Sequence, residues 1–568
     1  MKILHLRFTV RSQCCTAPCA VFACQNANAS CFASVAGTTC PVQITTKIAM
    51  HSLILFLLLG VSLNAADDGS RWWSHVAVLA DDNMEGRNTG SPGHHRAAAY
   101  IAGKFKEAGL KPGGKHGYLQ PVLLESRRIV EQSSSLELVR DGKTTKLTLG
   151  KEAFLSSRVN QAPKVEAELV FVGYGIQLPE ANCDDFAGLD LKGKIAVYLS
   201  ATPPGISGAV AAHAQSAAER WKAMLKAGAV GSASISAPGA VAVPWVRASA
   251  ARLQASMSLL DKSLTDEAGH NISAVINPAH AALFFEGTGH SWEEILAAHK
   301  DSKQLPHFAM NRSLRATARI ERGQVKSENV VGVIAGTDPS LKSELLVLSA
   351  HMDHLGVNKS LKGDQIFNGA MDNASGVAAL LEIAAKLSKS KPKRSIVLVA
   401  VTGEEKGLLG SRYFANRPSV KGTIVADLNM DMFMPIHKLE SVIVLGIEES
   451  TLNTAIEQSA AESGLKLQPD PVPQQRRFIR SDQYSFILRG FPSAAFKFGY
   501  EKGSPEEAMQ TEWLAKRYHA VSDDLSQPVD KAGAARFIEF LGRAAELVAN
   551  QPERPKWRDD SFFKRFAN

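Results

Sequence analysis

From Asn329 onward the chain alternates short runs of Val, Ile, Leu and Ala with longer stretches in which apolar residues recur every three or four positions. The short runs predict strands at 330–334, 344–349, 394–402, 422–428, 441–446 and 492–498. The longer stretches predict helices at 373–387, 407–415, 450–463 and 530–549. Apolar strands alternating with amphipathic helices imply an α/β fold, with a largely parallel or mixed sheet covered by helices on both faces.

Upstream the texture differs. Residues 71–125 read as helical: Trp72 to Ala80 has helical spacing, the turn Asn88-Thr89-Gly90-Ser91-Pro92-Gly93 follows, and a second run from His94 to Ala108 is ended by Gly109. From about 130 to 300, short Val/Ile/Phe runs broken by Gly and Pro, such as 168–173 and 194–199, are interleaved with Ala-rich helical stretches, notably 214–227. This pattern predicts a separate β-rich inserted domain. The expected division is an upstream segment at 1–66, the first part of the main domain at 67–130, the insertion at 131–310, the bulk of the main domain at 311–550 and a tail at 551–568. No internal repeat is visible.

At 568 residues, two or three such units are expected. The formal net charge of +8 overstates the basic character: Lys2, Arg7, Arg11 and Lys47 lie in the first 65 residues, which hold no Asp or Glu. What remains is too mild and too evenly spread to suggest a nucleic-acid partner. The run from Leu53 to Leu63, followed by small residues around Ala65 and charge at Asp67, has the shape of a signal-peptide core with a cleavage zone. Export is therefore expected, with no stable membrane span after cleavage; an uncleaved anchor is the alternative. Met50 stands directly before the run, which suggests that translation starts there, although no basic residue would then precede the apolar core. Six of the seven cysteines precede Met50, leaving Cys183 alone, so no disulfide framework is expected after it, and an inert thiol is the reading of Cys183.

The chemistry is concentrated where predicted strands end. Ser349-Ala350-His351-Met352-Asp353-His354 closes one strand, Gly403-Glu404-Glu405-Lys406-Gly407 a second, and Asn429-Met430-Asp431 a third. Asp372 lies in Gly369-Ala370-Met371-Asp372-Asn373, just before a helix, and His519 follows Tyr518. Two imidazoles and several carboxylates at the carboxyl ends of strands are what a pair of zinc ions needs. Asp372 is placed to bridge them, His351 and Asp431 to complete one site, and Glu405 and His519 the other. Adjacent residues on a tight turn point in different directions, so Glu405 can ligate while Glu404 serves as general base. Asp353 is placed to accept the second ring N–H of His351, and Asp523 to do the same for His519. His354 and Asp364 are nearby and unassigned. Other templates fail: no His-Glu-x-x-His, no Gly-x-Ser-x-Gly, and Gly173-Tyr174-Gly175 reads as a turn. Asn271, Asn311 and Asn373 match a glycosylation pattern that is frequent by chance.

At these residues the chain resembles the secreted di-zinc aminopeptidases, relatives of the transferrin-receptor and glutamate-carboxypeptidase group, in which a protease-associated domain is inserted near a zinc-peptidase core. The segment Ala80-Asp81-Asp82-Asn83-Met84-Glu85-Gly86-Arg87 resembles the family's N-terminal signature, and 171–175 with 184–186 and 191–194 its inserted domain. The resemblance implies a three-layer α/β/α core, two zinc ions, peptide substrates, counterparts of all five ligands and the base, and a role for Tyr518 in stabilising the tetrahedral oxyanion. Two departures stand out: Ala520-Val521 replace the usual Thr-Pro after the last ligand, and Gln483 stands where a histidine is common, a change that bears on the substrate pocket.

Aminopeptidase activity is the leading expectation. A carboxypeptidase or dipeptidase of the same fold is the alternative, since Arg476, Arg477 and Arg480 in one loop could hold a terminal carboxylate. A one-zinc glutaminyl cyclase and a receptor-like relative without catalysis fit the complete ligand set less well. Side-chain preference and oligomeric state are not readable from the sequence.

Overall fold

A computed structural model describes residues 68–206, 208–238, 244–475 and 477–567. The apolar run at 53–63, the early cysteines, Met50 and Arg476 lie outside the described residues.

The main sheet has ten strands. Four are mutually parallel at its centre: Glu344–His351 lies between Ser395–Val401 and Thr423–Asn429, and the latter pairs with Ser493–Phe498. Antiparallel strands flank them, Ile320–Ile334 on one side and Ser441–Leu445 on the other. Alternate residues of each central strand enter different cores, which is why the runs are apolar throughout. Leu346, Leu348 and Ala350 pack with the helices Pro92–Glu107, Ser375–Leu387 and Lys531–Asn550, while Leu345 and Val347 face Phe414 and Phe486 on the opposite side. The mixed sheet with helices on both faces is the expected α/β architecture.

One expectation fails. The helix pattern stops at Glu107, and Leu119–Ile129 is a strand paired with Ile320–Ile334 over eleven residue pairs, not part of a helical region reaching 125. Its period is two: Gln120, Val122 and Leu124 are buried while Leu123 is exposed, so only alternation satisfies both faces. Helices Gln483–Ile487 and Pro505–Lys516 were also not anticipated.

A second sheet of eight strands gathers residues 135–317, running in space from Lys143–Leu147 through His307–Thr317, Lys164–Val172 and Ile195–Ser200 to Ala153–Leu155. It has its own core around Leu136, Phe171, Val197, Ile235, Phe284 and Leu314. Ser256–Leu259, inside the segment expected as an insertion, leaves this sheet and pairs with Leu119–Ile129 of the main one. Among the described residues no helix is long and apolar enough to cross a membrane.

Candidate metal centre

The parallel strands all end on the same side, and the chain leaves each through a tight turn. Strand Glu344–His351 delivers His351, strand Ser395–Val401 leads through Thr402 and Gly403 to Glu404 and Glu405, and strand Thr423–Asn429 leads through Met430 to Asp431. Asp372 comes from a loop that must fold back on itself. Gly369 has φ +60, and a Cβ there would meet the carbonyl oxygen of Asp372 at 2.3 Å, so the turn admits no side chain. Asn373 then ties this loop to the Asp431 turn: its Nδ2 donates to the carbonyl of Met430 at 2.9 Å, and its Oδ1 accepts from Met432 N at 3.2 Å. Asn373 is fully buried, which leaves its glycosylation pattern out of reach of solvent. His519, from the far end of helix Pro505–Lys516, holds a left-handed φ of 55, a conformation costing of order 1–3 kcal/mol and typical of functional positions.

The side chains converge in two groups that share Asp372. His351 Nε2 lies 3.4 Å from Asp372 Oδ1 and 3.3 Å from Asp431 Oδ1. On the other side, His519 Nε2 lies 3.3 Å from Asp372 Oδ2 and 3.3 Å from Glu405 Oε2. Donors around a tetrahedral zinc at ~2.1 Å stand about 3.4 Å apart, so both groups have the spacing of a coordination shell. Asp372 presents one oxygen to each, as a bridging carboxylate must.

His354, unassigned from sequence, completes the arrangement. Its Nδ1 meets Glu405 Oε1 at hydrogen-bond distance, 2.8 Å, and stands 3.9 Å from Asp372 Oδ2. Glu405 thus gives one oxygen to His354 and turns the other toward His519. Its neighbour in sequence behaves differently: the Glu404 carboxylate makes no hydrogen bond or ion pair among the described residues, and only its backbone is held, the N–H by Asp353 and the carbonyl by the N–H groups of Gly407 and Leu408.

Electrostatics agree with a cation site. Burial alone would pull the His351 and His519 imidazoliums down, but Glu404, Asp372 and Asp431 around the first, and Glu405 and Asp372 around the second, hold both well above the usual range. Burial would likewise push Asp372 and Asp431 up, yet the histidines keep both below the usual carboxylate range. The cluster demands positive charge at its centre, which protons or metal ions can supply. Glu404 is instead pushed well up, by burial first and then by Glu405 and Asp431, against the pull of His351.

Two expected partnerships are corrected. Asp353 does not orient His351 through its carboxylate: Oδ1 is 4.0 Å from His351 Nδ1, and the closer acceptor, at 3.1 Å, is the Asp353 backbone carbonyl. The turn after the strand carries the carboxylate onward, where Oδ2 accepts from Thr89 at 2.8 Å and Oδ1 from the backbone N–H of Glu404 at 3.1 Å. Asp523 does not contact His519. It sits beneath the Asp372 loop, accepting the backbone N–H groups of Met371 at 2.9 Å and Asp372 at 3.0 Å, and the Gln527 amide at 2.7 Å. Short-range spacing suggested both partners; the loop backbone, with donors to satisfy, claimed them.

Arg87 is the residue sequence reasoning passed over. Almost fully buried, it donates to the carbonyls of Met352 at 3.0 Å, Asn368 at 2.6 Å and Gly369 at 2.9 Å, and to Leu79, so it clamps the loops that carry His351 and Asp372. Burial lowers its pKa to about 10 despite the surrounding acids, which leaves it charged. Its place in the segment Ala80–Arg87 was the only signal.

Beside Asp431 opens a small cavity of about 80 Å³ whose wall includes Arg480, Lys497, Met434, Leu514 and Tyr518. The Tyr518 ring stacks on His519 with centroids 3.9 Å apart, and its hydroxyl accepts from Arg480 Nη2 at 3.1 Å. A larger cavity of about 330 Å³, lined by Trp221, His270 and Ser258, includes none of the clustered side chains, whereas the smaller one includes Asp431.

Residues 329–544 match the model described as "Peptidase family M28". A probable glutamate carboxypeptidase of Arabidopsis thaliana is 29% identical over 238 residues, 39% of this chain and 31% of the relative. A probable leucine aminopeptidase 2 of Aspergillus fumigatus is 25% identical over 217 residues, 36% of this chain and 41% of the relative. The chain thus spans less than half the length of these relatives. In fold it is similar to the aminopeptidase from Aneurinibacillus sp. strain AM-1, with a TM-score of 0.51 at 22% identity, covering 86% of this chain and 97% of that one. The segment that matches peptidase family M28 contains His351, Asp372, Glu404, Glu405, Asp431 and His519, so the donor cluster lies wholly within the part of the chain that is similar to that family.

Proposed function

We propose that this chain is an exported, zinc-dependent exopeptidase that removes N-terminal residues from peptides. The observation that carries the reading is the division of Asp372 between two donor groups, His351 with Asp431 and His519 with Glu405. Nitrogen and carboxylate donors in sets of three, one carboxylate common to both, would suit two zinc ions held by His351, Asp431, His519, Glu405 and the shared Asp372. Bound there, zinc supplies Lewis-acid polarisation of the scissile carbonyl and a water that ionises near neutral pH.

The remaining work falls to the protein. Glu404, partly buried and with its carboxylate unengaged, accepts the proton of the attacking water and returns it to the leaving amine nitrogen as the C–N bond breaks. Asp353 fixes the turn that aims Glu404, and Arg87 fixes the loops beneath. The Tyr518 hydroxyl, accepting from Arg480, keeps its own proton to donate to the developing oxyanion. Similarity to a probable leucine aminopeptidase supports the choice of the amino end. Support for export is the apolar run at 53–63 followed by small residues.

A second reading, carboxypeptidase, is favoured by one observation. Arg480 and Lys497 stand in the wall of the cavity beside Asp431, where they could hold a terminal carboxylate. Zinc-loaded protein offered aminoacyl substrates and N-blocked peptides separates the two. Cleavage of free-amine substrates only supports the aminopeptidase; preference for N-blocked peptides with free C-termini overturns it in favour of the second reading; cleavage of neither removes both.

A further inference from the structure

We propose that His94, His95 and Glu328 form an additional binding site for a divalent transition-metal ion, zinc by its donor chemistry, separate from the cluster around Asp372. The two histidines sit in the first turn of helix Pro92–Glu107, directly after the Ser91 cap, and Glu328 lies on strand Ile320–Ile334 facing them. The three donor atoms lie within 4.8 Å of one another. His95 Nδ1 is 2.6 Å from Glu328 Oε1 and His94 Nδ1 is 3.8 Å from the same atom. A tetrahedral zinc spaces its donors at about 3.4 Å, between these two values, so sub-ångström movements of a half-exposed His95 admit the ion.

The second, independent observation is the state of His94. Its side chain is fully buried and its Nδ1 has no hydrogen-bond partner, an unusual cost for a buried imidazole nitrogen. Its Nε2 is engaged at 2.8 Å with the Thr402 hydroxyl, which in turn meets Ser327 Oγ at 2.7 Å. A proton on Nδ1 would be a buried donor without an acceptor at bonding distance, so the ring carries its proton on Nε2 and aims a lone pair at Glu328. Burial depresses its pKa to about 3, which keeps the ring neutral, as a ligand must be. A held, neutral imidazole whose far nitrogen is fixed by a hydroxyl is how proteins orient metal-binding histidines. Three protein donors leave a fourth position for water, and the 45% exposed side chain of His95 leaves a path for entry.

An ion here would tie the start of helix Pro92–Glu107 to strand Ile320–Ile334. Through Thr402 it would also touch the segment that leads to Glu404.

The test counts zinc per chain by atomic spectrometry after equilibrium dialysis of the full protein, for the wild type, His95→Ala and Glu328→Gln. The expected result is one fewer zinc in each variant than in the wild type, with far-ultraviolet circular dichroism unchanged. Equal zinc content in all three overturns the proposal, whatever the total. Failure of the peptidase reading is distinguishable, because it would appear in the Asp372 variants and in the substrate panel, not in this difference. Because His95 and Glu328 lie outside the Asp372 cluster, His95→Ala is also expected to keep the activity of the zinc-loaded wild type within about twofold at saturating zinc.

Discussion

Asp353 Oδ1 accepts the backbone N–H of Glu404 at 3.1 Å, linking the strand end that carries His351 to the turn that carries the proposed base. Removing that acceptor frees the turn without removing a metal donor. Asp353→Ala is expected to lower kcat by about 10–100-fold, the usual cost of losing an outer hydrogen-bond partner, with zinc content retained. Asp353→Asn keeps an oxygen acceptor and should fall by only a few-fold. Parallel kcat, KM and zinc measurements check this; loss of zinc in Asp353→Ala would show that the carboxylate supports the ions instead.

The proposed bridging role of Asp372 separates it from the other candidate ligands. Asp372→Ala should abolish high-affinity binding at both positions, whereas Asp431→Ala should spare the group formed by Asp372, Glu405 and His519. Zinc retained per chain after dialysis against a weak chelator reads the difference. Equal losses in the two variants would count against a shared carboxylate.

Glu404→Gln removes a proton acceptor while preserving shape, and Glu404 makes no side-chain contact with its neighbours that the amide would break. A fall in kcat of about 10²–10⁴-fold with zinc content and KM nearly unchanged is expected. Activity within a few-fold of wild type would sink the proposed role of Glu404.

Arg87 supplies charged hydrogen bonds to four carbonyls from three segments. Arg87→Met fills similar volume but leaves those carbonyls buried without a donor, a loss of about 3 kcal/mol or more. Urea unfolding of the zinc-loaded protein should show a lower midpoint with an unchanged slope, and zinc affinity should fall with it as the His351 and Asp372 loops loosen.

Much of this is legible in the sequence, for identifiable reasons. The central strands are buried on both faces, so their apolar runs are continuous, and each ends at a polar residue with chemistry to do; His351, Glu404 and Asp431 stand out for that reason. Asp372 lies between His351 and His519, 3.4 Å and 3.3 Å from their Nε2 atoms. Illegible were contacts decided by backbone donors far away in sequence. Asp523 answers to the amides of Met371 and Asp372, and Arg87 to carbonyls some 265 to 282 residues on, and neither leaves a local pattern. His354 was hidden for a different reason: three polar residues share one strand end, and only their directions tell which contacts Glu405. Leu119–Ile129 was misread because Leu and Glu suit helices, whereas its long antiparallel pairing overrides that preference.

Stability should also depend on pH through a residue remote from the candidate metal centre. His270 stacks on Trp221 with ring centroids 3.8 Å apart and planes 7° from parallel, and meets Ser232 Oγ at 3.0 Å. Burial lowers its pKa from 6.5 to about 4, against a small upward pull from the Ile272 backbone. The folded state therefore favours the neutral ring. Above pH 6.5 the group is neutral whether the chain is folded or not, and it contributes no pH dependence. As pH falls from 6.5 toward 4 the unfolded chain takes up the proton first, so stability is lost over that window, by about 3 kcal/mol in all. Below pH 4 both states are protonated and the contribution levels off. Replacing the ring by one that cannot titrate isolates the term: His270→Phe keeps the stack on Trp221 and should lose less stability than wild type between pH 6.5 and 4, at the cost of the Ser232 bond at every pH. Urea midpoints of the two proteins at half-unit pH intervals measure it, and parallel curves across the window would show that His270 stays in the same protonation state on unfolding.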